Sequence, residues 1–284
     1  MSTANRLFRA AVGVAALTVL AHLALSRTVS AQHAPPKHGT PTIDGPHTQA
    51  HQPRHGHHGE IAPGKLTGPF GLSVYGAFQT MMRTQDFSPK VELSTIVRDG
   101  ATEAVGAASE LRGEVTAIDG KLLLTYGAPC SNCGSPREDR ATLLAAAKVE
   151  AWHPPIDLPE NLTGQALDEF IVSRAVQLGL DATKPFPMRM KGTLVDVKMH
   201  VIKAFNPQFK GHGSGHAMAD QVDIVSASIE GEVVGFYAPP SAQGIITHPG
   251  EPFHYHWVDT ERTRTAHLDS FGMAKGSKLL IPLK

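Results

Sequence analysis

Hydrophobic and polar positions alternate over much of residues 64–284, in short runs punctuated by glycine and proline, and this two-residue period predicts strands. Residues 115–126 read as a hairpin in which Asp119-Gly120 is the two-residue turn that suits the right-handed twist of paired strands. Further strands are expected at 188–190, 194–202, 222–229 and 232–237, with Glu230-Gly231 as a hairpin turn between the last two. A final pair is expected near Phe253 and His267. Residues 72–78 fit a strand or the start of a helix equally well. Two segments carry apolar residues at helical spacing. Residues 139–152 are expected to form a helix ended by Pro154-Pro155. Residues 164–178 place Leu167, Phe170, Ile171, Ala175 and Leu178 on one side of a second helix, with Gly179 where a C-terminal cap would lie. The predicted class is α+β, dominated by antiparallel or mixed β-sheet with a few helices.

The first 63 residues follow another pattern. An apolar run at 10–25, preceded by Arg6 and Arg9 and followed by Val29-Ser30-Ala31, reads as an export signal cleaved after Ala31; an uncleaved N-terminal anchor is the alternative. The run is shorter than the roughly 20 apolar residues a spanning helix needs. Residues 32–63 hold His33, His38, His47, His51, His55, His57 and His58 among prolines, glycines and threonines, without apolar periodicity. Such a segment cannot bury a core and is expected to be a disordered linker. Loose capture of zinc, copper or nickel and a simple polar tether both fit it. The expected organisation is a signal peptide at 1–31, a linker at 32–63 and one domain at 64–284, in a periplasmic or secreted protein.

Composition narrows the function. Lys and Arg total 26 and so do Asp and Glu, so no basic excess points to nucleic acid. Losing Arg6, Arg9 and Arg27 with the leader makes the mature chain mildly acidic, and no membrane association is expected after cleavage. No Gly-x-Ser-x-Gly turn or phosphate-binding glycine loop occurs. The chain has 16 histidines against two cysteines, and histidine is the commonest metal ligand. Cys130-Ser-Asn-Cys133 lies in a Pro/Gly-rich loop. In an oxidising compartment a local disulfide is expected there, with a zinc half-site or a redox pair as alternatives.

The sharpest chemical pattern is Phe253-His254-Tyr255-His256-Trp257-Val258 followed by His267. Residues two apart on a strand share a face, so His254 and His256 stand side by side. If residues 259–264 turn, residues near 256 and 267 oppose each other across a hairpin, and directly opposed residues also share a face. Three imidazoles then converge, the ligand number of a catalytic zinc site with an open position. A half-exposed polar strand face is the plainer alternative.

At these residues the sequence resembles the α-acetolactate decarboxylase family. The resemblance is carried, in order, by Leu111-Arg-Gly-Glu-Val-Thr-Ala-Ile-Asp-Gly120, Phe186-Pro-Met-Arg-Met-Lys-Gly192, Val195-Asp-Val-Lys198, Ile229-Glu-Gly-Glu-Val-Val-Gly-Phe236, and the stretch from Gly244-Ile-Ile to His267-Leu-Asp269. It implies that His254, His256 and His267 bind zinc, that Glu114 is a metal ligand or proton relay, and that Arg189 contacts the substrate. The implied reaction converts 2-acetolactate, a 2-hydroxy-3-oxo acid, to acetoin and carbon dioxide through an enediolate, and homodimers occur in the family. Two departures stand out. Members add a second metal-site glutamate from a C-terminal segment, for which this chain offers no match. The family's proline- and tyrosine-rich stretch is replaced by Lys210-Gly-His-Gly-Ser-Gly-His-Ala217, expected as a mobile loop, with a lid or auxiliary metal contact as the alternative. A periplasmic metal-binding protein or a lyase of other specificity is the runner-up function. His153, His200 and His248 fall outside every pattern.

Overall fold

A computed structural model describes residues 66, 68–97, 100–129, 135–209 and 218–284. The expected leader, the histidine-rich linker, Cys130 and Cys133, and the 210–217 loop lie outside the described residues. The described chain forms two predominantly antiparallel sheets with few helices, as the alternation predicts.

The first sheet has the order β1 (Ser73–Tyr75), β6 (Arg140–Lys148), β3 (Thr102–Ala108), β4 (Gly113–Ile118), β5 (Lys121–Tyr126), with the short β2 (Val91–Glu92) also on β6. The expected β4–β5 hairpin is present, and its turn residues Asp119 and Gly120 take φ of 49° and 70°, the left-handed values such a turn requires. Residues 72–78 resolve both ways, as β1 followed by α1 (Phe78–Thr84).

Residues 140–148 form strand β6 rather than the expected helix. Every interior position of β6 is buried, so its apolar residues satisfy helical and strand spacing alike. Pairing decides the matter: β6 lies between β1 and β3, with Leu144 opposite both Tyr75 and Gly106. A short helix α2 (Leu93–Ile96) covers one face of this sheet through Leu93.

The second sheet runs β7 (Ile156–Asp157), β13 (Lys278–Leu280), β9 (Phe186–Phe205), β10 (Ala219–Tyr237), β11 (Phe253–Val258), β12 (Thr265–Met273), β8 (Leu162–Thr163). Because β12 pairs with β9 as well as β11, the four long strands form a closed ring of ladders. The hairpin expected at Glu230-Gly231 is absent: β10 continues through it, with Gly231 opposite Gly192 of β9. Gly231 serves a close approach instead. A Cβ there would meet the Trp257 indole nitrogen at 2.3 Å, and that N–H donates to the Glu230 carbonyl.

Helix α3 (Gly164–Gln177) forms where the spacing predicts it, burying Leu167, Ile171 and Ala175. Those side chains pack against Phe253, Tyr255 and Trp257 on one face of β11. The other face of the second sheet turns toward the first, where Val234, Phe236 and Val258 meet Val74, Val105, Ile118 and Leu123. His254 and His256 alternate with the aromatic residues, so the fold buries them between the sheets. Among the described residues no helix is long and apolar enough to cross a membrane.

Candidate metal centre

His256 is the direct cross-strand partner of His267, as the turn argument requires. Asp259 builds that turn: its carboxylate accepts from the backbone N–H of Thr263 (2.6 Å) and Arg264 (2.9 Å) and from the Thr263 hydroxyl (2.7 Å). One ring nitrogen from each of His254, His256 and His267 lies within 4.8 Å of the others, and all three residues are buried. Occupying core positions with imidazoles forgoes about 1.5–3 kcal/mol of hydrophobic burial per side chain, a cost that points to chemistry.

Hydrogen bonds fix which nitrogens face inward. His254 Nδ1 donates to the Ile246 carbonyl at 3.0 Å, which leaves Nε2 as a bare lone pair. The Thr265 hydroxyl donates to the Trp257 carbonyl, so the 2.6 Å contact between Thr116 and Thr265 has Thr116 as donor. The Thr116 oxygen must then accept from His256 Nδ1, at 2.9 Å, and His256 Nε2 is bare as well. These two bare nitrogens face each other at 3.1 Å. Burial opposes a proton on either ring, bringing His254 down to about 3 and His256 well below its ordinary value. Two lone pairs held this close repel unless a cation lies between them, so the donor set fits a divalent metal with imidazole preference, zinc among them. The anchored Nδ1 atoms are the usual backing of metal-binding histidines.

Glu114 reaches the cluster from β4 of the opposite sheet. Its Oε1 accepts from the Ile202 N–H at 3.1 Å, and Oε2 lies 3.7 Å from His256 Nε2. Burial raises its carboxyl to about 7, against the pull of His200 and the Ile202 N–H. A cavity of about 50 Å³ opens beside it. Phe78, Met81, Leu143 and Ile202 form its apolar wall, while Glu114, His200, His248, His254 and His267 form its polar side.

The structure therefore brings together Glu114, His254, His256 and His267. It does not bring Arg189 to the cavity lining. The Arg189 guanidinium donates to Asp119 at 2.8 Å, lies 3.7 Å from Glu103, and stacks over Trp152. Arg262 joins the same group by bonds to Asp119 and Glu232. His200 and His248 are the site residues the sequence left unassigned. His200 sits on β9 directly opposite His267 and bonds Asp269 through Nδ1 at 2.7 Å. Burial works against its charge, but the hydrogen bond to Asp269 and the Glu114 charge outweigh it and raise its pKa. The signal that would have found it is the β9–β12 register, since a single histidine within an apolar strand says nothing by itself.

A family model described as alpha-acetolactate decarboxylase matches residues 74–281. No curated protein sequence matches the chain. Among solved structures, alpha-acetolactate decarboxylase from Bacillus subtilis strain 168 is similar at 18% identity and a TM-score of 0.56, over 73% of this chain and 84% of that one. A Staphylococcus aureus protein of unknown function, described as similar to alpha-acetolactate decarboxylase, is similar at 16% identity and a TM-score of 0.55, over 75% of this chain and 86% of that one. At such identities the structures speak to fold alone. On the family match over most of its described length, the chain belongs to the alpha-acetolactate decarboxylase family.

Proposed function

We propose that this protein is an exported, zinc-dependent carboxy-lyase that converts 2-acetolactate to acetoin and carbon dioxide. The observation that supports it most is the pair of bare, inward-facing imidazole nitrogens of His254 and His256, 3.1 Å apart, beside a carboxyl whose pKa lies near neutrality. His254, His256 and His267 would hold the ion. When bound, zinc supplies Lewis acidity toward the negative charge that builds on the ketone and hydroxyl oxygens of a 2-hydroxy-3-oxo acid as its carboxylate leaves. Glu114 is the proton carrier of the site. With Oε1 fixed by the Ile202 N–H, Oε2 is left to give the proton that replaces carbon dioxide on carbon. Phe78, Met81, Leu143 and Ile202 exclude water from that carbon until the proton arrives.

The place of Arg189 favours a second reading, a lyase of different specificity on the same scaffold. Its guanidinium is engaged by Asp119, lies 3.7 Å from Glu103 and does not line the cavity, which supports a site that meets the substrate carboxylate through other groups. Acetoin formation by the purified, zinc-loaded chain, set against a His254→Ala control and joined to metal analysis, separates the readings. One tight zinc with acetoin above the control supports the first; one tight zinc without acetoin supports the second. Export rests on the sequence of residues 1–31, and N-terminal sequencing of protein recovered outside the cytoplasm tests it: a start at Gln32 is expected.

A further inference from the structure

We infer that Asp119 and Arg262 form a clamp that docks the β4–β5 hairpin on the β11–β12 hairpin and so holds Glu114 against the histidine cluster. The clamp makes Arg262 a positioning residue, and its catalytic consequence rests on the reading of Glu114 as proton carrier. The histidines are placed by their own hairpin: strand alternation and the β11–β12 ladder set His254, His256 and His267 relative to one another. Glu114 comes from the other sheet, with Oε2 3.7 Å from His256 Nε2, so its distance to the cluster depends on how the two hairpins dock.

Hydrogen bonds join the two hairpins along their length. The Thr116 oxygen meets His256 Nδ1 at 2.9 Å, and the Thr125 hydroxyl oxygen accepts from the Thr265 N–H at 2.8 Å. At the tips the link is ionic. Arg262 lies in the 259–264 turn with φ of 53° and grips its own sheet through a fork on Glu232 of β10, Nε donating to Oε1 at 2.9 Å and Nη2 to Oε2 at 3.1 Å. Two parallel bonds fix the plane of the guanidinium, and Nη1 then donates across to Asp119 Oδ2 at 2.9 Å. Arg189 of β9 holds the same carboxylate, at 2.8 Å on each oxygen. Asp119, which the sequence presents as a turn former, thus also ties the tip of its hairpin to the second sheet. Glu114 and Thr116 are two apart on β4 and share a face, so a shift of this hairpin carries both. A misplacement of about 1 Å can cost about a hundredfold in rate, which makes the proton step more sensitive to the clamp than metal binding is.

Amide hydrogen exchange on the full chain reads the docking independently of activity. The Ile202 N–H donates to Glu114 and the Thr265 N–H to Thr125, so both amides are protected by bonds between the sheets. In Arg262→Met both are expected to exchange roughly tenfold faster or more, while amides of the β3–β6 ladder stay within about threefold of wild type. Asp119→Asn, in which asparagine tolerates the left-handed turn, is expected to loosen the same two amides. In the zinc-loaded protein Arg262→Met should lower kcat about tenfold with KM and metal affinity within about threefold, and the loss should vanish when Glu114→Gln is already present. Arg262→Lys keeps the charge but not the fork and should recover part of the loss. Wild-type exchange at Ile202 and Thr265 in Arg262→Met, or equal acceleration in every ladder, would overturn the clamp. A loss of kcat undiminished by Glu114→Gln would overturn its link to Glu114. A wild-type chain that forms no acetoin would overturn the acetolactate reading, and the exchange result would then decide the clamp by itself.

Discussion

Thr116, on β4 of one sheet, accepts a 2.9 Å hydrogen bond from His256 Nδ1 on β11 of the other. That bond settles the tautomer of His256, and Thr265 settles the direction of that bond. Thr116→Val keeps the shape and removes the acceptor. It should weaken metal binding by about 10–100-fold, since outer partners of metal-binding histidines carry effects of that size. Loss of a partner for a buried N–H should also cost about 1–3 kcal/mol of stability. Chelator competition and urea unfolding measure the two. Unchanged metal affinity would mean that Thr116 does not set the ring.

Glu114→Gln should separate stability from activity. The carboxyl is buried and raised to about 7, so its ionised form is a burden on the fold, while the glutamine oxygen still accepts from the Ile202 N–H. The variant should therefore be at least as stable as the wild type. Its kcat should fall by about 10²–10⁴, the usual worth of a positioned proton carrier. Steady-state rates with matched metal content check this, and a stable variant of unchanged kcat would remove Glu114 from the proton step.

Asp259 holds the turn that sets His256 opposite His267. Burial works against its charge, but the Arg264 and Thr263 N–H groups and the Thr263 hydroxyl outweigh that and hold the carboxyl at about 2. A group whose folded-state pKa is depressed contributes stability above its unfolded pKa and loses it as pH falls through the folded one. Asp259→Ala should thus cost about 2–3 kcal/mol at neutral pH, and the gap to wild type should close between about pH 4 and pH 2. Urea midpoints across that range decide it; a gap constant with pH would assign the loss to packing.

Arg189 has a structural role to be tested against the catalytic one implied by resemblance. It is 4% exposed and pairs with Asp119 and with Glu103, which is itself 1% exposed and pushed up to about 8 by burial. With its carboxyl at about 8, Glu103 is mostly protonated at neutral pH, so removing Arg189 takes a polar partner from it rather than stranding a buried charge, a loss of about 1–3 kcal/mol. Arg189→Met should accordingly lower stability by about 1–3 kcal/mol while metal affinity stays at the wild-type value. Adding Glu103→Leu should restore much of the loss. A fall in kcat of more than a hundredfold at wild-type stability would instead return Arg189 to the substrate.

The two histidines of β11 and their partner on β12 were legible in the sequence because each depends on a local rule, whereas Glu114 was pointed to only by the family resemblance. Strand alternation puts His254 and His256 on one face, and a six-residue turn puts His267 opposite. The β4–β5 hairpin was legible because left-handed turn geometry selects Asp-Gly. Helix α3 was legible because only one side of it is buried, so its apolar residues mark a period. Strand β6 was not, because both of its faces are buried and a uniformly apolar run has no period to read. Glu230-Gly231 misled for a related reason: a glycine selected by the approach of Trp257 looks in sequence like one selected by a turn.

Sequence alone thus determined the local chemistry: which strand carries the paired imidazoles, which turn returns the third, and which family the pattern resembles. Tertiary structure decided everything that depends on pairing between distant segments. The 69 residues separating His200 from Asp269 and the 140 separating Thr116 from His256 leave no trace in any local pattern. Register between β9 and β12, and the packing of one sheet on the other, are global outcomes of burying apolar faces. They place His200 opposite His267 at the cavity beside the histidine cluster and Arg189 outside that cavity, and no short window of sequence contains that information.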